Sequence, residues 1–146
     1  MYKITQFSER LKELMFERDL NAPALAKQTG IERSTINGLE RGAHFPSIKV
    51  FVTLLDYFNC SADFLLGIID NEPNEITFKP LQPFGEIFRS VLKKNQISQY
   101  KIEKDLHLSG DTVYKWLNNI SQPNVESLVK ISEYLDCSVD FLMGRE

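Results

Sequence analysis

A chain of 146 residues with 42% apolar and 25% charged side chains has ordinary globular composition, which excludes a disordered or membrane-embedded polymer and allows one average domain or two small ones. The net charge of -3 excludes the strongly basic character of an indiscriminate nucleic-acid binder but leaves room for a local basic face. Residues 1–67 hold eight basic and eight acidic groups, 68–80 one and three, and 81–146 eight and nine, so much of the acidic excess sits between two nearly neutral halves.

The opening MYKITQFSERLKEL has no uninterrupted apolar run, which predicts neither a signal peptide nor a membrane helix and points to a cytoplasmic protein. Phe7, Leu11, Leu14 and Met15 recur at helical spacing and predict a first helix up to about Arg18. A second follows over Ala22 to Thr29, with Pro23 tolerated in the first turn and Gly30 ending it through a left-handed backbone. The third helix runs from about Arg33 to Glu40 with Ile36 and Leu39 inward. Beyond Pro46, Ser47 caps a fourth helix reaching Phe58, and Ser61 caps a short fifth with Asp63 in its first turn.

The chain then repeats itself. A shift of 77 positions aligns residues 7–67 with 84–144 without a gap, and 13 of the 61 positions are identical. Phe7, Leu14, Leu20, Leu25, Ile31, Ile36, Leu39, Ile48 and Leu54 fall on Phe84, Val91, Ile97, Ile102, Leu108, Val113, Trp116, Val125 and Ile131, so the apolar positions of one core return in the other. Trp116 aligns with Leu39 and is a core residue, not a stacking platform. Cys60 and Cys137 are equivalents expected to be small buried apolar residues rather than a disulfide or metal site. The reading divides the chain into a domain at 1–67, a Pro-containing linker at 68–83 and a second domain at 84–146. Glu75 to Lys79 alternates enough for a short strand, and the 16 residues 68–83 reach at most about 50 Å when extended.

In each half, two short helices with a tight turn between them match the helix-turn-helix pattern. Ala26 is small where the helices cross, and anchoring by Ile31, Ile36 and Leu39 turns Arg33, Ser34, Thr35, Asn37 and Gly38 outward. LAKQTGIERSTINGLERG at 25–42 and NISQPNVESLVKISEYLDCSVDFL at 119–142 resemble the Cro/phage-repressor, or XRE-type, helix-turn-helix family. The resemblance implies an all-α fold of two tandem five-helix, lambda-repressor-like domains. It also implies transcriptional regulation, with double-stranded DNA as partner and dimerisation on a pseudo-palindromic site.

Carried over by the resemblance, the base-reading positions fall on Arg33, Ser34, Asn37 and Gly38, and on Gly110, Asp111, Tyr114 and Lys115. Lys27 and Arg41, and Gln99, Lys104 and Asn118, become phosphate contacts. The copies depart from the family differently. Ala22 stands where the second copy has the usual Gln99, while Ala26 and Gly30 become Glu103 and His107. Arg33, Arg41 and the acid at Asp111 favour the first copy as the DNA reader. The neutral faces, with Glu103 and Asp111, support another reading, in which one copy or both serves as a dimerisation or protein-interaction module for a protein regulator.

His44 and His107 have no Cys or second His at metal spacing, and Asp63 and Asp140 are repeat equivalents rather than a catalytic pair. There is no Gly-rich phosphate loop and no nucleophile elbow, so the sequence predicts no enzyme, cofactor or metal.

Overall fold

A computed structural model describes residues 2–72 and 78–146. The chain divides into two compact units, Met1–Ile76 and Thr77–Glu146, and the described residues of each hold five helices and no strand. The all-α architecture matches the sequence expectation.

In unit 1, α1 (Ile4–Glu17) buries Phe7, Leu11, Leu14 and Met15 on one stripe. It starts earlier than the apolar spacing indicates, because the Gln6 side chain accepts the Lys3 N–H at 3.0 Å and satisfies a donor of the first turn. The Asn21 side chain accepts from Ala24 N and caps α2 (Ala22–Thr29), which ends on Gly30 at φ +79°. After α3 (Arg33–Glu40), Ser47 caps α4 (Ile48–Phe58) and Ser61 caps α5 (Ala62–Leu65). The third helix packs on α1 and α2, and Ile36 and Leu39 are fully buried there.

The chain after α5 folds back on this unit. The buried Arg10 guanidinium donates to the carbonyls of Phe64 (2.6 Å) and Ile69 (3.0 Å) and lies 4.1 Å from the Phe64 ring centroid. The Glu72 carboxylate accepts the Ser61 N–H at 3.1 Å.

Unit 2 repeats the order: α6 (Phe84–Lys94), α7 (Gln99–Asp105), α8 (Gly110–Leu117), α9 (Val125–Leu135) and α10 (Val139–Leu142). Its first helix opens at the position equivalent to Phe7, not Ile4, because Pro83 immediately precedes it and Pro80 lies one turn further back. The missing turn is replaced by an approach strap in which Lys79 N donates to Arg145 O (2.9 Å) and Gln82 N to Met143 O (3.0 Å). Arg145 is buried, 2.7 Å from an Asp140 oxygen and 4.4 Å from the Phe78 ring centroid.

Residues 68–72 thus attach to unit 1 and 78–83 to unit 2. Of the expected strand at Glu75 to Lys79, the part through Thr77 lies outside the described residues, and Phe78 and Lys79 are irregular.

Trp116 is 5% exposed, edge-on to Phe84 and Phe88 with centroids 6.1 Å apart, and so belongs to the core as its alignment with Leu39 predicts. His107 takes φ +55° in the turn where Gly30 stands in unit 1. Cys60 is buried, whereas Cys137 is only half-buried beside Val91, Leu135 and Phe141, because the helix ends around it leave an open cleft. Among the described residues no helix is long and apolar enough to cross a membrane, and no cluster of three His, Cys, Asp or Glu side chains is placed to hold a metal.

Candidate nucleic-acid interface

Each unit presents its third helix beside its second, but the two surfaces have different chemistry. On α3, Arg33 and Ser34 open the helix and are exposed, while Asn37, one turn on, is half-buried. Lys27 in the last turn of α2 and Arg41 at the end of α3 are also exposed. None of Lys27, Arg33 and Arg41 forms an ion pair among the described residues. The first turn of α3 contains no acid; Glu32 stands just before it, exposed. Three guanidinium or ammonium groups are therefore available to phosphates or to guanine edges.

Gly38 departs from the outward placement expected of it. It is buried, and the three atoms nearest to where a Cβ would stand all belong to His44, with Nε2 only 2.5 Å away. An exposed imidazole from the following loop occupies this part of the helix surface.

On α8 the corresponding groups are engaged with one another. Lys115 Nζ lies 3.1 Å from Asp111 Oδ2 one turn earlier, and the Gln99 amide donates to Glu103 Oε1 at 2.9 Å. Glu103 also closes over Gly110, its carboxylate oxygen 3.3 Å from where a Cβ would sit, so an acid lies against the helix start. The Asn118 amide is turned back to the Tyr114 carbonyl (2.9 Å). Lys104 is exposed with no ion pair among the described residues. Tyr100, Tyr114 and Ile120 are 72%, 55% and 62% exposed, which makes this surface more apolar than that of α3.

The α2 and α7 helices are braced to α4 and α9, respectively, by tyrosines at equivalent positions. The Tyr57 hydroxyl donates to Gln28 Oε1 (2.8 Å), and the Tyr134 hydroxyl donates to Asp105 Oδ2 (2.5 Å). The hydrogen bond from Tyr134, and then Lys101, holds the Asp105 carboxyl below the usual carboxylate range, and the same bond pushes the Tyr134 hydroxyl up.

Arg33, Ser34, Lys27 and Arg41, which the resemblance assigned to DNA contacts, are each exposed, two of them opening α3 and the others at the end of α2 and of α3. The packing of His44 on Gly38 was not expected; its only signal in the sequence was a histidine two residues beyond the Arg41-Gly42 turn that ends the helix. The ion pair of Asp111 and Lys115 was legible as an i,i+4 spacing on a helix.

Residues 6–64 match the family described as "Helix-turn-helix domain", and residues 88–142 match that described as "Helix-turn-helix". Over 80 residues the chain is 29% identical to "Uncharacterized HTH-type transcriptional regulator YobD" of Bacillus subtilis (strain 168), covering 55% of this chain and 71% of that one. Over 62 residues it is 34% identical to "Repressor protein C2" of Salmonella phage P22, covering 42% of this chain but only 29% of the phage protein. No solved structure gives a significant match. With a helix-turn-helix match in each unit and a phage repressor among its relatives, the chain belongs to the XRE/Cro family of helix-turn-helix proteins, carrying two such domains in tandem.

Proposed function

We propose that the protein is a cytoplasmic transcriptional repressor that binds double-stranded DNA sequence-specifically, with α3 of unit 1 entering the major groove as the principal reader. The observation that carries this reading is the set of exposed cations around α3, Lys27, Arg33 and Arg41, none of them engaged in an ion pair among the described residues. Arg33 pairs with a guanine edge through two donors, Ser34 and Asn37 bond base or backbone oxygens, and Lys27 and Arg41 clamp phosphates. Membership of a family with a phage repressor among the relatives supports repression, and a homodimer would place two copies of α3 about 34 Å apart, or a multiple of that, along one face of the duplex.

In unit 2, Gly110, Asp111, Tyr114 and Lys115 form the equivalent surface, with Gln99, Lys104 and Asn118 at the phosphate positions. Because Lys115 and Gln99 are tied to acids, a second reading applies to this unit: its exposed Tyr100, Tyr114 and Ile120 meet a protein regulator or a second copy of the chain. Selection from a random duplex library tests the main reading. Wild type should enrich a half-site containing a guanine, and Arg33→Ala should lose discrimination at that position by about 1–3 kcal/mol. Failure of the wild-type chain to enrich any motif would refute it.

A further inference from the structure

The two units end their first helices differently. Arg18, the residue after α1, lays its guanidinium on the C-terminus of α4, donating to the carbonyls of Tyr57 (3.3 Å) and Phe58 (3.1 Å) and lying 5.6 and 5.0 Å from their ring centroids. A cation there meets the negative end of the helix and supplies donors to carbonyls that the helix itself leaves unpaired. The equivalent residue of unit 2 is Asn95, whose amide turns back to the Val91 carbonyl of its own helix at 2.8 Å. Among the described residues nothing donates to the carbonyls of Tyr134 and Leu135, the equivalents of Tyr57 and Phe58 at the end of α9.

Beside these carbonyls unit 2 has an open cleft of about 440 Å³, with Asn95 and Leu135 in its wall. Phe141, 41% exposed, gives it an apolar side, and Cys137 is half-buried within it although its equivalent Cys60 is only 4% exposed. Asp136 adds a carboxylate, as does Glu146, which also accepts the Ser138 hydroxyl. Lys94, exposed and in no ion pair among the described residues, lines it as well.

We propose that this cleft binds a small molecule with a guanidinium at one end and a carboxylate at the other. The guanidinium takes in unit 2 the place that Arg18 takes in unit 1, because a planar fork of donors reaches both carbonyls at once where a compact, strongly hydrated ammonium does not. Asp136 and the end of α9 complement its charge, its alkyl stem rests on Phe141, and Lys94 meets the carboxylate. The site is independent of whether α3 reads DNA.

The Cys137 thiol reports occupancy. Alkylation of the whole chain by iodoacetamide, with Cys60 and Cys137 resolved by peptide mass, should proceed faster at Cys137, and millimolar arginine should slow that site several-fold and saturably while leaving Cys60 unchanged. Agmatine, which lacks the carboxylate, should protect more weakly, and lysine at the same ionic strength not at all. Lys94→Ala should reduce arginine to the potency of agmatine. Asn95→Arg, which supplies the guanidinium from the chain as unit 1 does, should slow Cys137 without any ligand and abolish protection. In proton–nitrogen amide spectra, arginine should shift residues 134–141 over the same concentration range and leave α3 unmoved. Absence of those shifts, protection by lysine equal to that by arginine, or protection retained in Asn95→Arg would each overturn the proposal.

Discussion

Lys115 Nζ lies 3.1 Å from Asp111 Oδ2, so the one lysine on α8 spends its charge inside its own helix. The pair is exposed and worth little to stability, of order 0.3–0.5 kcal/mol, but it places an acid where phosphates would approach. Asp111→Asn should therefore leave the fold untouched and strengthen binding to random duplex several-fold, with a salt slope steeper by about one as Lys115 becomes available. Filter or anisotropy titrations between about 50 and 200 mM salt measure this. No change in slope would mean that α8 does not approach a phosphate.

Arg33 and Arg41 should separate by kind of effect. Arg33→Ala removes a base contact and should reduce the ratio of specific to random-duplex affinity, at a cost of about 1–3 kcal/mol on the selected site. Arg41→Ala removes a phosphate contact and should weaken all sequences alike while lowering the salt slope by about one. Paired titrations on the selected site and a scrambled duplex distinguish the two.

Part of this surface was readable in the residues alone. The exposure of Arg33 and Ser34 followed from the spacing of Ile36 and Leu39, because core periodicity fixes which helix face is left for solvent, whereas Lys27 and Arg41 came only from the resemblance to the family. Gly38 and His44 were not readable. Nothing in periodicity says that a loop will double back and cover a helix position, which depends on the φ of Gly42 and the anchoring of Phe45. The start of α1 at Ile4 escaped for a different reason, since Lys3 stands at its N-cap in place of the usual Ser, Thr, Asp or Asn, and the Gln6 side chain reaching back to Lys3 N satisfies the first turn.

The tyrosine braces differ in their response to acid. Tyr134 donates to a carboxylate whose pKa is depressed by that bond, so the bond's contribution is complete above about pH 4, the unfolded carboxylate range, and is lost as pH falls through the lowered folded value. Tyr57 donates to the neutral Gln28 amide, which has no such window. Tyr134→Phe should melt below wild type at pH 6, and the deficit should shrink as pH falls below about 4. Tyr57→Phe should show a deficit that does not change over the same range. Thermal melts from pH 2 to 7 check both, with the fluorescence of Trp116, the sole tryptophan, reporting on unit 2.

The buried pair in unit 2 makes a larger prediction. Asp140 is 2% and Arg145 5% exposed, and their oxygen and nitrogen are 2.7 Å apart. Arg145→Met leaves the carboxylate buried without its guanidinium and should destabilise unit 2 by about 3–5 kcal/mol. Adding Asp140→Asn to that variant should recover part of the loss. Denaturant unfolding followed by Trp116 fluorescence measures the difference, and equal costs for the single and double variants would show that the charge is not what matters.

The account stands or falls on which surface meets DNA, and the salt dependence of random-duplex affinity tests that most directly. Three proteins should be compared: wild type, Arg33→Ala/Arg41→Ala and Lys104→Ala/Lys115→Ala. The first pair should weaken binding and flatten the slope by about one to two, while the second should flatten it less, by no more than the contribution of Lys104, since Lys115 is already paired with Asp111. If the first pair leaves affinity and slope at wild-type values, unit 1 does not contact the duplex through α3 and the central claim is wrong.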